Sequence, residues 1–435
     1  MRRRSTWCCV AEAAAAPDNC LWTSQAPPAD FPELPVPGRT AVAVIGGGYT
    51  GLAAARSLAL AGVDVTLFER DRLGAGASSR NGGFVLPGFK PDVHDIATRH
   101  GEEAARTLFR LSLDAVDFVE RLVADAKIAC DFERPGGITL AARPSHVSGL
   151  AESVRTLKSL CGYDTELLDA RQVRQEIGSD AYAGGVLDPG AAALHPARYL
   201  TGLASAARQA GARLLEHTQV TGVAGAEGDF TLRTPRGDVR AREVLVATDG
   251  HTGRLAPFLG RRVVAVGSFI VATAPLDEAL RARLIPRRRV LSDTKRLLNY
   301  FRLSPDDRMV FGGRAGFVPG RLEGSREILI GQMRRVFPAL AEIPVEFAWG
   351  GRLGFTWDGL PHAGRRDGIC YALGYCGHGV ALATWLGHCL GRALAGQAPI
   401  PEIPESGFRP IPGASMIDWL LPVAGLYYRL RDALD

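Results

Sequence analysis

The chain has 435 residues, 46% of them hydrophobic and 22% charged, with a formal net charge of +5. This is ordinary globular composition, with apolar material for two or three domains or two interleaved ones. The basic excess is scattered, with runs only at Arg2-Arg3-Arg4 and Arg287-Arg288-Arg289, so no clustered face for nucleic acid is expected.

The opening MRRRSTWCCVAEAAAAPDNC has a basic head and an alanine run, but Glu12 interrupts it, and it reads as a disordered extension rather than an export signal. A proline-rich lead-in, APPADFPELPVPG, follows to about residue 39 and reads as loop. Ala41 to Ile45 (AVAVI) reads as a short buried strand, GGGYTG as a turn, and GLAAARSLALAG as a small-residue helix ending at Gly62. Asp64 to Glu69 (DVTLFE) is a second strand, and this βαβ order implies a parallel sheet.

Residues 92 to 129 show helical spacing through Leu108, Leu111, Val116 and Val119, and GGITLAA returns to strand. Pro196 to Gly211 is helical, with proline where a first turn tolerates it. ARLLEHTQVTGV, FTLRT and VLVATDG read as strands, and RRVVAVGSFIVATAPL, RLLNYFRL and RMVFGGR as longer strands of a second sheet. YALGYCGHGVALATWLGHCLGRALAG closes the body as strand, loop and helix. Met416 to Leu430 is apolar but broken by Pro422 and Gly425, so it is expected to pack on the protein and not to insert stably in a membrane. The eight cysteines contain no C-x-x-C pair and no zinc spacing, so no metal is expected and the reducing cytoplasm is the expected location.

Gly46-x-Gly48-x-x-Gly51 follows a strand, opens a helix, and precedes an acid, Glu69, at the tip of the next strand. In that setting Gly46 permits a tight turn, Gly48 admits a pyrophosphate, and Gly51 lets helix and strand pack closely. The helix start at Tyr49 and Thr50 supplies N–H donors, and Glu69, next to Arg70, would accept bonds from ribose hydroxyls. Directly afterwards, GAGASSRNGG (Gly74 to Gly83) is dense in glycine and small hydroxyls. Its Ser78, Ser79, Arg80, Asn81, Gly82 and Gly83 would lay backbone N–H groups along an extended cofactor carrying a flat ring. No further fingerprint supports a nicotinamide dehydrogenase.

VAVIGGGYTGLAAARSLALAG, FERDRLGAGASSRNGG and YALGYCGHGVALAT, in this order, resemble the FAD-dependent D-amino-acid-oxidase-like superfamily over roughly residues 20 to 400. ASSRNGG and the lead-in CLWTSQAPP resemble its γ-glutamylputrescine oxidoreductase branch. The resemblance implies FAD as cofactor and an α/β fold: a Rossmann-like FAD-binding domain interleaved with a substrate domain on a large mixed or antiparallel sheet. The expected divisions are an extension (1–39), the FAD-binding domain (40–91, 185–255 and 345–400), the substrate domain (92–184 and 256–344) and a tail (401–435).

The same resemblance places the late loop, Gly377, His378, Gly379 and Val380, under the pyrimidine side of the flavin. It sets Thr248 and Gly250 at a strand tip beneath the adenosine half, and the Val220 backbone beside adenine. Cys376 stands open as a packing residue, a redox-sensitive thiol or a flavin attachment point. Tyr300, in NYFR, and Arg314, in FGGR, are expected on the reactive side. In WGGRLGFTWDGLPHAG, Asp358 and Pro361 match the family's D-x-x-P, and Arg352 is the candidate to clamp a substrate carboxylate, although counting back from Asp358 places Leu353 nearest the expected position. Oxygen-using members carry a lysine where Val310 stands, and Lys295 is one strand earlier, so O2 or another carrier accepts the electrons. The implied activity is oxidation of a small-molecule amine by hydride transfer from the C–H beside nitrogen. A glycine- or sarcosine-type amino-acid oxidase is the alternative within enzymes, and a non-catalytic flavin-binding subunit the alternative outside them. Oligomeric state is left unassigned.

Overall fold

A computed structural model describes residues 19–26, 31–253, 255–313, 322, 324–413 and 427. The apolar segment 416–430 (except Tyr427) and Arg314 lie outside these residues.

The strand Arg39–Ile45 sits at the centre of an eight-stranded sheet, parallel to Val65–Phe68 on one side and Val239–Val246 on the other. Arg213–Leu215 and Ile369–Leu373 extend the parallel set, and His362–Arg366 closes one edge antiparallel. Both faces are buried: Val42 and Val44 face one apolar cluster, Ala43 and Ile45 another. That explains a continuous apolar run rather than an alternating one. The helix Tyr49–Leu60 packs on Gly379–Leu394, and small residues permit the approach. A methyl on Gly391 would lie 2.7 Å from the Ala54 carbonyl oxygen, and one on Gly387 would overlap that of Thr50.

The second sheet runs in the order Val345–Phe355, Val264–Pro275, Arg308–Gly313, Asn299–Leu303, Val290–Asp293, Gly137–Leu140, Gly184–Asp188, Glu166–Asp169. It is mixed, because only Val290–Asp293 and Gly137–Leu140 pair in parallel. Gly184–Asp188 and Val345–Phe355 both hydrogen-bond into this sheet. Val345–Phe355 pairs along nearly the whole of Val264–Pro275. One face carries Phe269, Phe301 and Phe311 against Phe337 and the helix Ser325–Val336. The opposite face presents Tyr300, Ser292, Thr139 and Val186 toward the first sheet's glycine loops.

The helical region beginning at Asp92 is two helices, Val93–His100 and Glu102–Asp125, separated at Gly101, whose φ of +89° ends the first. The lead-in is not all loop. Leu21–Gln25 forms a short helix, and Cys20, Leu21 and Trp22 are buried. No helix among the described residues is long and apolar enough to cross a membrane.

Candidate active site

The three glycines after the first strand are shaped by contact. Gly46 has φ +111°, and a methyl there would stand 2.6 Å from the Ala247 carbonyl oxygen. A methyl on Gly51 would overlap the carbonyl oxygen of Gly46. Gly48 caps the helix with no side-chain bond, so first-turn N–H groups are left to the cleft, while the N–H of Tyr49 donates to Ser78 Oγ at 3.2 Å. The Tyr49 and Thr50 side chains turn inward: the Tyr49 hydroxyl donates to the Pro196 carbonyl at 3.2 Å, and Thr50 Oγ1 bonds the Tyr375 hydroxyl at 2.6 Å. Only their backbones are offered to a ligand.

The Glu69 carboxylate accepts from the N–H of Gly47 at 2.7 Å and of Asp71 at 3.0 Å, which fixes it at the rim of a cleft of about 450 Å³. That cleft is also lined by Arg70, Ser78, Val220 and Thr248, and at its far end by Leu353, Gly377, Gly379 and Val380. Ser79 and Gly83 line neither this cleft nor the cavity described next. The buried Ser79 hydroxyl donates to the Gly74 carbonyl, and Gly83 (φ +74°) packs on Leu194. Both shape the loop rather than its surface. Gly250 likewise packs on the backbone of Leu353 and Gly354.

A second cavity of about 460 Å³ adjoins the first, and Ala77, Asn81, Leu353, Cys376, Gly377 and Val380 line both. Arg80, Gly82, His378 and Tyr300 line the second only, and Tyr300 bonds Ser268 Oγ at 3.1 Å while its ring meets Phe84 edge-on. His378 is also the N-cap of the helix Gly379–Leu394. Arg352, exposed, lines the first cleft only. Because Leu353 is the next residue on an extended strand, the two side chains point to opposite faces. Lys295 lies in a turn with its Nζ 3.5 Å from Asp293, and Val310 is buried. Cys376 (φ +53°) is enclosed near Thr356 Oγ1 and the Gly374 carbonyl, and burial pushes its thiol up to about 11, so it is a neutral packing group at pH 7.

Asp249, passed over in VLVATDG, ties the site together. Its carboxylate accepts from the N–H of Gly354 at 3.0 Å and of Gly374 at 2.7 Å, joining the tip of Val239–Val246 to the two segments that meet at the cavity junction. Burial pushes its carboxyl above the usual range, against the pull of these backbone donors. Asp249→Asn turns an NH2 group toward one of the two N–H donors. We expect a loss of about 1–3 kcal/mol, read as a lower unfolding midpoint and faster cofactor release; unchanged values would show the knot to be dispensable.

Two indoles hold the loop that lies between the cavities. Trp22 Nε1–H donates to the Asn81 carbonyl and Trp349 Nε1–H to the Arg80 carbonyl, both at 2.8 Å, and the rings meet edge-on with centroids 6.2 Å apart. Within the loop, Asn81 Nδ2 donates to the Ser78 carbonyl at 2.9 Å and Oδ1 accepts from the Gly83 N–H at 2.8 Å. Trp22 was legible only as one aromatic in a polar lead-in. Nothing local marks it as buried.

An uncapped helix start beside a glycine turn, a fixed acid one strand over, and a second cavity sharing a glycine-lined junction together fit an extended dinucleotide whose flat ring reaches that junction. The site is thus that of a dinucleotide-dependent oxidoreductase.

The sequence comparison specifies it further. Residues 41–393 match the family described as FAD dependent oxidoreductase (DAO), and the chain belongs to that family, with FAD as its cofactor. It is 32% identical over 397 residues to gamma-glutamylputrescine oxidoreductase of Escherichia coli (strain K12), covering 90% of this chain and 93% of that protein. It is 23% identical over 366 residues to a glycine oxidase of Geobacillus kaustophilus (strain HTA426), covering 80% and 90%. The crystal structure of glycine oxidase from Geobacillus kaustophilus superposes with a TM-score of 0.72 at 21% identity, over 86% of this chain and 99% of that one, which shows the fold. The protein is an FAD-dependent oxidoreductase of the family acting on amines and amino acids.

Proposed function

We propose that this enzyme oxidises a primary or secondary amine with an elongated substituent, of the γ-glutamylputrescine type, to an imine that water converts to aldehyde or ketone. Bound FAD supplies the acceptor for the hydride removed from the carbon beside nitrogen. Gly46, Gly48 and the backbone of Tyr49 and Thr50 would hold its pyrophosphate, Glu69 its ribose, and Gly377 to Val380 its ring.

The observation that carries the reading is the second cavity, which opens onto the cofactor junction and is lined chiefly by apolar groups and by Tyr300. An amine reacts through its nitrogen lone pair and must be neutral, and transfer out of water disfavours the ammonium form. Tyr300, fixed by Ser268, would orient the nitrogen, and His378 would line its approach. No strong base is required once position and desolvation are supplied. The glycine- or sarcosine-type alternative would use Arg352 to clamp a substrate carboxylate. Arg352 lines the other cleft, and Leu353 takes the shared position, while the guanidinium that does line this cavity, Arg80, donates through Nε to the Gly350 carbonyl at 2.8 Å; this supports an amine without a carboxylate clamped by Arg352.

Anaerobic mixing of the FAD-loaded protein with n-butylamine, acylated putrescines, sarcosine and glycine tests this. We expect an acylated putrescine to bleach the visible flavin band fastest. Fastest bleaching by glycine or sarcosine would return the assignment to an amino-acid oxidase.

A further inference from the structure

The second cavity is long. Tyr300 stands in register with Ser292, Thr139 and Val186 across successive strands, and Asp188 lies two residues beyond Val186. Three strand spacings of ~4.8 Å and two residues of ~3.3 Å put the Asp188 backbone about 16 Å from that of Tyr300. Asp188 and Thr165 both line this remote end. Thr165 falls opposite Asp188, one place beyond the pairing of Glu166 with Leu187, so the two side chains are neighbours on one face.

Their hydrogen bonding is incomplete. Asp188 Oδ1 accepts from the Tyr163 hydroxyl and from the Gly190 N–H at 2.8 Å, which fixes the carboxylate, yet no ion pair reaches it among the described residues. The nearby Arg134 is committed to Asp117 and Glu120. Burial pushes the Asp188 carboxyl above its usual range. Thr165 Oγ1 is buried with no hydrogen-bond partner. A held carboxylate lacking a cation, beside a hydroxyl lacking a partner, is costly in a mostly apolar cavity unless a ligand completes both.

We propose that Asp188 and Thr165 form a recognition site for an ammonium group at the remote end of the substrate, some ten bonds from the nitrogen that is oxidised. A zig-zag chain of roughly ten single bonds advances about 12 Å, and a hydrogen bond of ~3 Å at its ends covers the rest. The site therefore selects acylated diamines that carry a second, free amine, and this rests on the amine-oxidation reading above.

The probes are 4-aminobutanoyl-putrescine and butanoyl-putrescine, which differ only in the terminal ammonium. With the FAD-loaded full chain, kcat/KM is expected to favour the ammonium-bearing probe by tenfold or more. Asp188→Asn, which keeps an acceptor for Tyr163 and Gly190, should bring that ratio below threefold, and Thr165→Val should lower it severalfold. A parent enzyme without preference, or a ratio unmoved in Asp188→Asn, overturns the proposal. Failure of every amine to bleach the flavin sinks the oxidation reading instead. The same ratio is then read from dissociation constants, by titrating the flavin absorbance, and the same two outcomes decide.

Discussion

Gly51→Ala is expected to yield a folded but colourless protein. The added methyl would overlap the Gly46 carbonyl oxygen and stand 3.3 Å from Val44 Cγ1. Both neighbours are fixed, one as backbone of a turn at φ +111°, the other in the central strand of the parallel sheet. Relief must come from the helix Tyr49–Leu60 moving away from the strand, which withdraws its first-turn N–H groups from the pyrophosphate position. Overpacking of this kind costs about 1–3 kcal/mol or more. A loss of about 2.8 kcal/mol from cofactor binding, at 1.4 kcal/mol per tenfold, weakens FAD by roughly a hundredfold. Flavin absorbance after purification and titration with FAD, alongside far-UV circular dichroism, measures both parts. Gly38→Ala is the control, since a methyl there meets nothing within 4 Å. A yellow Gly51→Ala protein with parent-like affinity would falsify the account of the turn.

Trp22→Ala is the second large effect. The indole is fully buried between Trp349, His195 (centroids 5.0 Å apart) and the Arg302 guanidinium, 5.4 Å from its ring centre. Truncating a buried Trp costs about 3–5 kcal/mol through lost transfer energy and the cavity left behind. It also leaves the Asn81 carbonyl without its indole donor, on the loop that lines both cavities. Trp22→Phe separates the contributions: most of the ring volume returns, while the hydrogen bond, worth about 0.5–1.5 kcal/mol net, does not. We therefore expect Trp22→Ala to unfold at clearly lower denaturant concentration and to release FAD faster. Trp22→Phe should recover most of the stability and only part of the FAD retention. A Trp22→Ala variant as stable as the parent would mean that the lead-in is an ornament on a self-sufficient fold.

The amino-acid sequence by itself determined the nucleotide turn, the glycine-rich loop after Glu69 and the late glycine loop. It also determined the interleaved α/β architecture and the family. These are legible because each depends on residue type at one place: a backbone that must curl, or approach another backbone, tolerates little but glycine. The tertiary structure alone decided which sheet receives Gly184–Asp188 and Val345–Phe355, because strand pairing joins residues far apart in the chain and local propensity does not encode the partner. It also decided between Arg352 and Leu353, the two residues the sequence offered at the clamping position: Leu353 lines the second cavity and Arg352 does not. A strand's side chains alternate between faces, and which residue falls on which face is set by register with neighbours. Asp249, Trp22 and the Asp188–Thr165 pair belong with these. Their roles come from what surrounds them, donors for one, rings for another and an apolar cavity for the third, and those surroundings exist only once the two sheets are packed together.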